Sequence, residues 1–324
     1  MEGQYIEFRK TRDFSNKVNV TFEFIKQNYK VLFKSILYIA GPPILIGALM
    51  MGSIVGDIAN LQASSASGDF SGIFTVNFLA QLGLAFAFLF TMMVASTSTI
   101  HNLLLVYEER KGEGIEVYHV WDKVKATLGS YFVTGILLTI LIMIVYVAMA
   151  IPVAVLGSIS GWLVFLGFLI FVFGFFYIFV NLALVFPVRA FERVGFFAAV
   201  GRSFRLIQGK WWSTFGLGLI MTLIAMIISY VLALPYSIIT NLTLLHSLDG
   251  SVSSPPSTGM QIILTVFICI SYLGQAVLSS LPLIGITYQY FNLVEMKEAR
   301  GLMSQIQTFG APVKGSTAEE GDEF

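Results

Sequence analysis

The polar side chains that interrupt the apolar runs of this sequence are the places where chemistry could be done. Three histidines occur, His101, His119 and His246, too few for a membrane oxygenase or desaturase that holds iron with four or more. His119 lies in a basic stretch and His246 in one without lysine or arginine, so they are expected on opposite sides of a membrane and cannot share a metal. No His-Glu-x-x-His helix is present for a zinc protease, and no Walker-type glycine loop occurs. Gly157-Ser158-Ile159-Ser160-Gly161 places isoleucine where a nucleophile elbow needs serine. The one cysteine, Cys269, can form no internal disulfide. The chain is therefore expected not to be an enzyme and to use no cofactor or metal.

What remains is neutral polarity near the ends of alternate apolar runs: Ser96, Ser98, His101 and Asn102, then Asn181, then Thr287, Gln289 and Asn292. Asn102 and Asn292 each stand eight residues before an arginine, Arg110 and Arg300. An amide without a partner in hydrocarbon is costly, so these groups are expected to face a helix bundle. His101, Asn102, Asn181, Gln289 and Asn292 form the candidate polar cluster. They read either as bonds between helices, worth about 0.6–2 kcal/mol each, or as the lining of a vestibule. His101 reads as a hydrogen-bonded helix-end histidine rather than a metal ligand.

The elements that must position these groups follow from composition. Apolar residues make up 56% and charged residues 12% of the chain, against about 25% charged in a soluble domain. Much of the surface therefore faces something other than water. The net charge of zero gives no field for nucleic acid. Uncharged intervals of 22, 38, 63, 38 and 45 residues separate Lys34 from Asp57, Asp69 from Glu108, Lys125 from Arg189, Lys210 from Asp249, and Asp249 from Glu295. A helix needs about 20 residues to cross a hydrocarbon core of about 30 Å. The longest interval holds a hairpin that turns at 157–161. Six spans are expected, at about 35–56, 73–106, 130–156, 162–187, 213–239 and 260–294. Five of them contain or end at proline, which tends to kink a helix.

All 19 lysines and arginines fall in alternating segments: seven in 1–34, four in 108–129, five in 188–211 and three in 295–324. The segments between, 57–72, 157–161 and 240–259, hold none. By the positive-inside rule both termini are expected in the cytoplasm. The basic start has no short apolar core before a cleavage site, so the first span is expected to remain as a signal anchor.

The basic segments also repeat a pattern. Phe14, Val18, Phe22, Ile25, Tyr29 and Phe33 share their spacing with Phe196, Val200, Phe204, Ile207, Trp211 and Phe215. Val117, Trp121, Val124, Leu128 and Phe132 match the last five positions. This spacing puts each set on one helical face. The preceding runs end alike, in Glu108-Glu109-Arg110-Lys111-Gly112, Glu192-Arg193-Val194-Gly195 and Glu298-Ala299-Arg300-Gly301. Acid, base and glycine suit a helix emerging into water. The expected fold is all-α: six transmembrane helices as three parallel hairpin repeats, each preceded by a cytoplasmic amphipathic helix. The repeats cover about 14–112, 113–195 and 196–301 within a single membrane domain, 1–310. A fourth interfacial helix is expected from Leu302, and 311–324 read as a disordered acidic tail. Trp121, Arg202, Arg205, Lys210, Trp211 and Trp212 are the candidate interfacial residues. They either anchor the following spans or lie at anionic headgroups.

The stretch Arg202-Ser203-Phe204-Arg205-Leu206-Ile207-Gln208-Gly209-Lys210-Trp211-Trp212-Ser213-Thr214-Phe215-Gly216 resembles one in bacterial multi-pass membrane proteins. These are similar to the membrane region attached to some glycerophosphoryl diester phosphodiesterases. The C-terminal run Tyr290-Phe291-Asn292-Leu293-Val294-Glu295-Met296-Lys297-Glu298 agrees. The resemblance implies the bacterial cytoplasmic membrane and little mechanism; the phosphodiesterase activity does not carry over, because no soluble phosphodiesterase domain is present. The function expected is a non-enzymatic membrane scaffold or accessory subunit contacting lipid headgroups or a partner protein, membrane or cytoplasmic. The alternative is a permease or channel-like protein for a neutral or lipid-like solute.

Overall fold

The computed structural model describes residues 5–48, 76–248, 258–299 and 303. The tail 311–324, the fourth interfacial helix and the loop 57–72 lie outside the described residues. Those described are helical, without a strand among them, and include six helices long and apolar enough to cross a membrane. The first, α1 (Phe14–Ser35), is capped by Asp13, whose side chain accepts the Asn16 N–H. It passes through a π-helical turn, Ile36–Ala40, into one rod described as far as Ala48. Pro42 and Pro43 can donate nothing to the carbonyls of Tyr38 and Ile39, which is where the turn loosens.

The second span is α2 (Val76–Glu109) and the third α3 (Val117–Ile159). The start of α3 is fixed by a reciprocal pair: the Glu116 carboxylate accepts the His119 N–H, and His119 Nδ1 accepts the Glu116 N–H. After extended Ser160 come α4 (Gly161–Leu182) and α5 (Val185–Glu192), then α6 (Phe196–Ile207), α7 (Trp211–Leu248), α8 (Thr258–Leu278) and α9 (Ser280–Glu298). The fourth expected span is thus broken at residues 183–184 and the sixth at Ser279. Each break falls about one turn before a proline, Pro187 or Pro282, as a missing donor requires. Pro152 and Pro235 stay inside unbroken helices.

Two of the three expected amphipathic helices are not separate. The first continues into the rod Phe14–Ala48, and the second is the opening of α3. With 43 residues, α3 is about 64 Å long, twice the hydrocarbon thickness. Only α6 is set apart, by Gln208, Gly209 and Lys210 before α7 begins. Gly209 has φ +78°, a conformation that a side chain would strain.

The repeated aromatic stripes do not face the protein interior as one. Phe22, Tyr29 and Phe33 are exposed, as is Trp121. The buried face of α1 runs through Lys17, Thr21, Phe24, Asn28 and Leu32, each one residue ahead of a stripe position. In α6 the same offset gives Ala199, Ser203 and Leu206, and in α3 it gives Val120 and Tyr131. One residue is about 100° of helix. In α1 the stripe turns outward, where an apolar surrounding gives phenylalanine no reason to hide; in α3 and α6 it is divided, with Val124, Phe196 and Ile207 buried and Trp121 exposed.

Consecutive spans pack on each other, α2 and α3 on either side of the 108–116 turn, α3 along α4, and α7 along α8, while α9 lies against α1, α2 and α7. The end of the bundle that carries the lysines and arginines, here called the basic face, is the densest part. Residues 94–104 of α2 are all buried, and so are 287–294 of α9. The other halves are apolar and exposed. In its most hydropathic window α3 has mean hydropathy 2.8 and no buried residue, a surface that fits lipid and not water.

Candidate functional site

The polar side chains at the basic face sort into three separate networks rather than one cluster. The first joins three helices. Lys17 Nζ of α1 donates to Gln289 Oε1 of α9 at 2.7 Å and to Ser213 Oγ at 3.0 Å, and Gln289 Nε2 donates to Thr214 Oγ1 of α7 at 2.9 Å. Lys17 is 3% exposed and Gln289 fully buried. Replacing Gln289 by Leu strands Lys17 with one weak acceptor and is expected to cost about 1–3 kcal/mol. Replacing both Lys17 by Met and Gln289 by Leu is expected to cost less than the two single changes added. Thermal unfolding of the four proteins in mild detergent gives the coupling.

The second network fastens residues 5–13 across the end of the bundle. Asn292 Oδ1 accepts the Arg12 N–H at 2.7 Å, and Tyr107 Oη accepts the Ile6 N–H at 2.9 Å. Phe8 is 1% exposed. Its ring meets those of Phe291, Tyr288, Tyr107 and Phe24 at centroid distances of 5.1, 5.5, 5.6 and 6.3 Å. Burial lowers the pKa of Arg12, whose guanidinium lies 5.5 Å from the Tyr288 ring centroid.

The third network is ionic. Arg202 of α6 donates from Nε to both Glu192 oxygens at 3.2 and 3.1 Å, from Nη2 to Glu192 Oε1 at 3.0 Å, and from Nη1 to Glu298. Tyr290 Oη donates to Glu192 Oε1 at 3.1 Å. The bond to Glu298 is the main cause that raises the Arg202 pKa above its ordinary value, and it outweighs burial; Glu192 adds to it. The ends of α5 and α9 are thereby tied to α6. Lys297 Nζ also donates to the last carbonyls of α6, those of Arg205 and Gln208, where a helix C-terminus favours a cation.

Beside these networks lies a cavity of about 410 Å³ between α2, α3 and α5. Asn102, Lys123, Thr127, Ser130, Tyr131, Thr134, Arg189 and Arg193 line it with Leu105, Ala126, Phe186, Ala190 and Val194. Asn102 Nδ2 reaches Thr127 Oγ1 at 2.9 Å and Ser98 O at 2.8 Å. His101 is fully buried, and its ring forms a triangle with those of Tyr131 and Phe186, at centroid distances of 5.9 and 6.4 Å, with 6.0 Å between the latter two. Neither ring nitrogen reaches full hydrogen-bond geometry, although the Thr97 backbone is a partner within reach.

Of the expected polar cluster, the structure brings only His101 and Asn102 together. Asn181 Nδ2 caps its own helix by donating to Tyr177 O at 2.8 Å; Gln289 and Asn292 belong to the first and second networks. Of the expected interfacial residues, Trp121, Arg205, Lys210 and Trp212 are exposed, Trp212 by 77%. Trp211 is half-buried and its Nε1 donates to Tyr177 O at 3.3 Å. Arg202 is a correction: its side chain is 17% exposed and faces two carboxylates, not headgroups. Lys123, Ser130, Tyr131 and Arg189 were not expected here. The signal for them is Lys123, Thr127, Ser130, Thr134, a polar stripe spaced four, three, four along one face of α3.

No family model, curated protein or solved structure matches the chain. The resemblance to membrane regions of glycerophosphoryl diester phosphodiesterases rests on residues 202–216 and 290–298.

Proposed function

We propose that the chain is a non-enzymatic scaffold or accessory subunit of the bacterial cytoplasmic membrane, with both termini in the cytoplasm, contacting lipid headgroups or a partner protein. The observation that carries this reading is the closed interior at the basic face. Gln289 is saturated by Lys17 and Thr214, Asn292 holds the backbone of Arg12, and Phe8 fills the space between α1, α2 and α9. Amides that would have to line a path are used as bonds between helices. A permease reading would gain from a cavity lined by both Asn102 and Gln289, and Gln289 does not line this one.

Three parallel repeats, each of an amphipathic segment and a hairpin, are part of the proposal. In their support, α2, α5 and α9 end at Glu109, Glu192 and Glu298. Left-handed non-glycine residues follow each, Lys111, Arg193 and Ala299. The outward Phe22, Tyr29, Phe33, Trp121 and Trp212 suit an interface where aromatic side chains meet headgroups.

Topology and transport test the reading. With Cys269 replaced by Ala, single cysteines at Ser65, Ser160 and Ser251 are expected to react with an impermeant thiol reagent from outside the cell. Cysteines at Glu23, Glu113 and Arg205 are expected to react only after the membrane is opened. One reversal breaks the six-span topology. Proteoliposomes holding the chain are expected to release neutral solutes no faster than empty ones, and faster release would favour the permease.

A further inference from the structure

We propose that the cavity between α2, α3 and α5 binds the oxyanion of a small phosphate ester, supplied by the headgroup of an anionic phospholipid. Its lining includes three cations, Lys123, Arg189 and Arg193, and no acid. Glu109 takes up one of them, Lys123, at 2.7 Å. Arg189 is fixed but not neutralised: its guanidinium donates to Ser130 Oγ at 3.1 Å, Thr134 Oγ1, and the carbonyls of Ser130 and Val194, all uncharged. Arg193 forms no ion pair among the described residues, and the neighbouring Glu192 is held by Arg202 and Tyr290. Arg189 in α5 and the exposed Arg193 that follows it therefore both line the cavity without a counter-charge among the described residues. A pair of guanidinium groups suits phosphate oxygens.

The hydroxyls sharpen the chemistry. Thr127 and Thr134 donate to carbonyls in their own helix and have no proton to offer. Ser130 Oγ accepts from Arg189, and no acceptor for its proton is found among the described residues, so it can donate to an oxyanion. Size then separates an ester from bare phosphate. About 410 Å³ is in the lower part of the range of small-molecule sites, roughly 300–1,000 Å³; a lone phosphate leaves most of it empty. Position agrees. From Lys123 to Thr134 the lining descends about 16 Å along α3, from the basic band to the apolar run that begins after Lys125. Leu105 and Ala126 supply apolar wall for a glycerol backbone.

The site rests on the scaffold reading only for placing the basic face at headgroup depth. The test uses the full chain in an uncharged maltoside detergent, at constant ionic strength. Its thermal midpoint is followed against dihexanoyl phosphatidylglycerol below its micellar concentration, dihexanoyl phosphatidylcholine, and inorganic phosphate. A saturable rise with phosphatidylglycerol, stronger than with either other ligand, is expected. Arg193→Gln removes no bond of the fold and is expected to weaken that binding about tenfold or more. Arg189→Gln is expected to abolish it. Saturation by phosphate alone, lost in the same variants, keeps the oxyanion site and assigns it to a soluble anion. Absence of saturation with both anions, an equal response to phosphatidylcholine, or a response that Arg193→Gln leaves unchanged overturns the proposal. Failure here leaves the scaffold reading standing, since solute release and topology judge that separately.

Discussion

Replacing Arg202 by Met is expected to lower the stability of the protein by about 3–5 kcal/mol, the usual cost of removing one partner from a buried ion pair. Arg202, Glu192 and Glu298 are 17%, 12% and 26% exposed at their side chains. Without the guanidinium two mostly buried carboxylates face each other, and α6 loses its tie to the ends of α5 and α9. In a thermal melt in mild detergent the midpoint is expected to fall by on the order of 10 °C. Lysine at the same place restores charge but not the fork that bonds both acids, so Arg202→Lys is expected to recover only part of the loss. Adding Glu192→Gln and Glu298→Gln to the Met variant removes the mutual repulsion of the two carboxylates and is expected to recover more. Raising salt is expected to change little, since the pair is mostly shielded from solvent. A Met variant as stable as the parent would mean that the three side chains are solvated. By contrast, Lys125 and Asp122 form an exposed pair, 53% and 65% accessible, and breaking it is expected to move the midpoint hardly at all.

The role of Arg202 shows where the sequence is legible and where it stops. The six spans follow from intervals without charge, because hydrocarbon tolerates so little of it that the gaps are unmistakable. The helix ends at Glu109, Glu192 and Glu298 follow from local chemistry of acid, base and glycine. What a cation at the basic face will meet does not follow. Arg202 and Arg205 lie three apart on one short helix and read alike in sequence. One is enclosed by the ends of two other helices, and the other is exposed. Only tertiary placement separates them.

Which way the repeated stripes turn is illegible for a different reason. Periodicity marks which residues share a face, and it did so for Phe14 to Phe33. Which face turns inward depends on the solvent outside. In water the whole stripe would be buried; here Phe22, Tyr29, Phe33 and Trp121 are exposed while Thr21, Asn28, Ser203 and Tyr131 are buried, and of the stripes only Val124, Phe196 and Ile207 are enclosed. The cavity is hidden in the same way, since Lys123, Thr127 and Ser130 share a helical face whose surroundings only tertiary packing supplies. Lys17 is the clearest case. It lies outside every expected span, yet it is buried against Gln289, because the helix that carries it is drawn into the bundle by Thr21 and Phe24.

Residues 5–13 are the part of the structure least visible in sequence, and their removal decides between the two functional readings. Nothing in their composition announces a core, since Glu7, Arg9, Lys10 and Arg12 surround Phe8. Yet Phe8 is among the largest fully buried side chains. Phe8→Ala is expected to cost about 3–5 kcal/mol, as for other phenylalanines truncated in a core. Ring partners from α1, α2 and α9 would be left around an empty volume, and the segment is expected to become open to proteolysis at Arg9 and Lys10. Phe8→Leu refills most of that volume and is expected to recover more than half of the loss. Deleting residues 2–12 adds the loss of the bonds to Asn292 and Tyr107 and is expected to be at least as severe. The informative measurement follows in proteoliposomes made from whichever of these variants still inserts. If the arm only completes a packed core, the Phe8→Ala chain melts earlier and releases neutral solutes no faster than the parent. If the arm is a plug over a conduit, the same variant releases them measurably faster while the parent does not. The scaffold reading requires the first result, because Gln289 with Lys17 and Thr214 still closes the bundle below the arm.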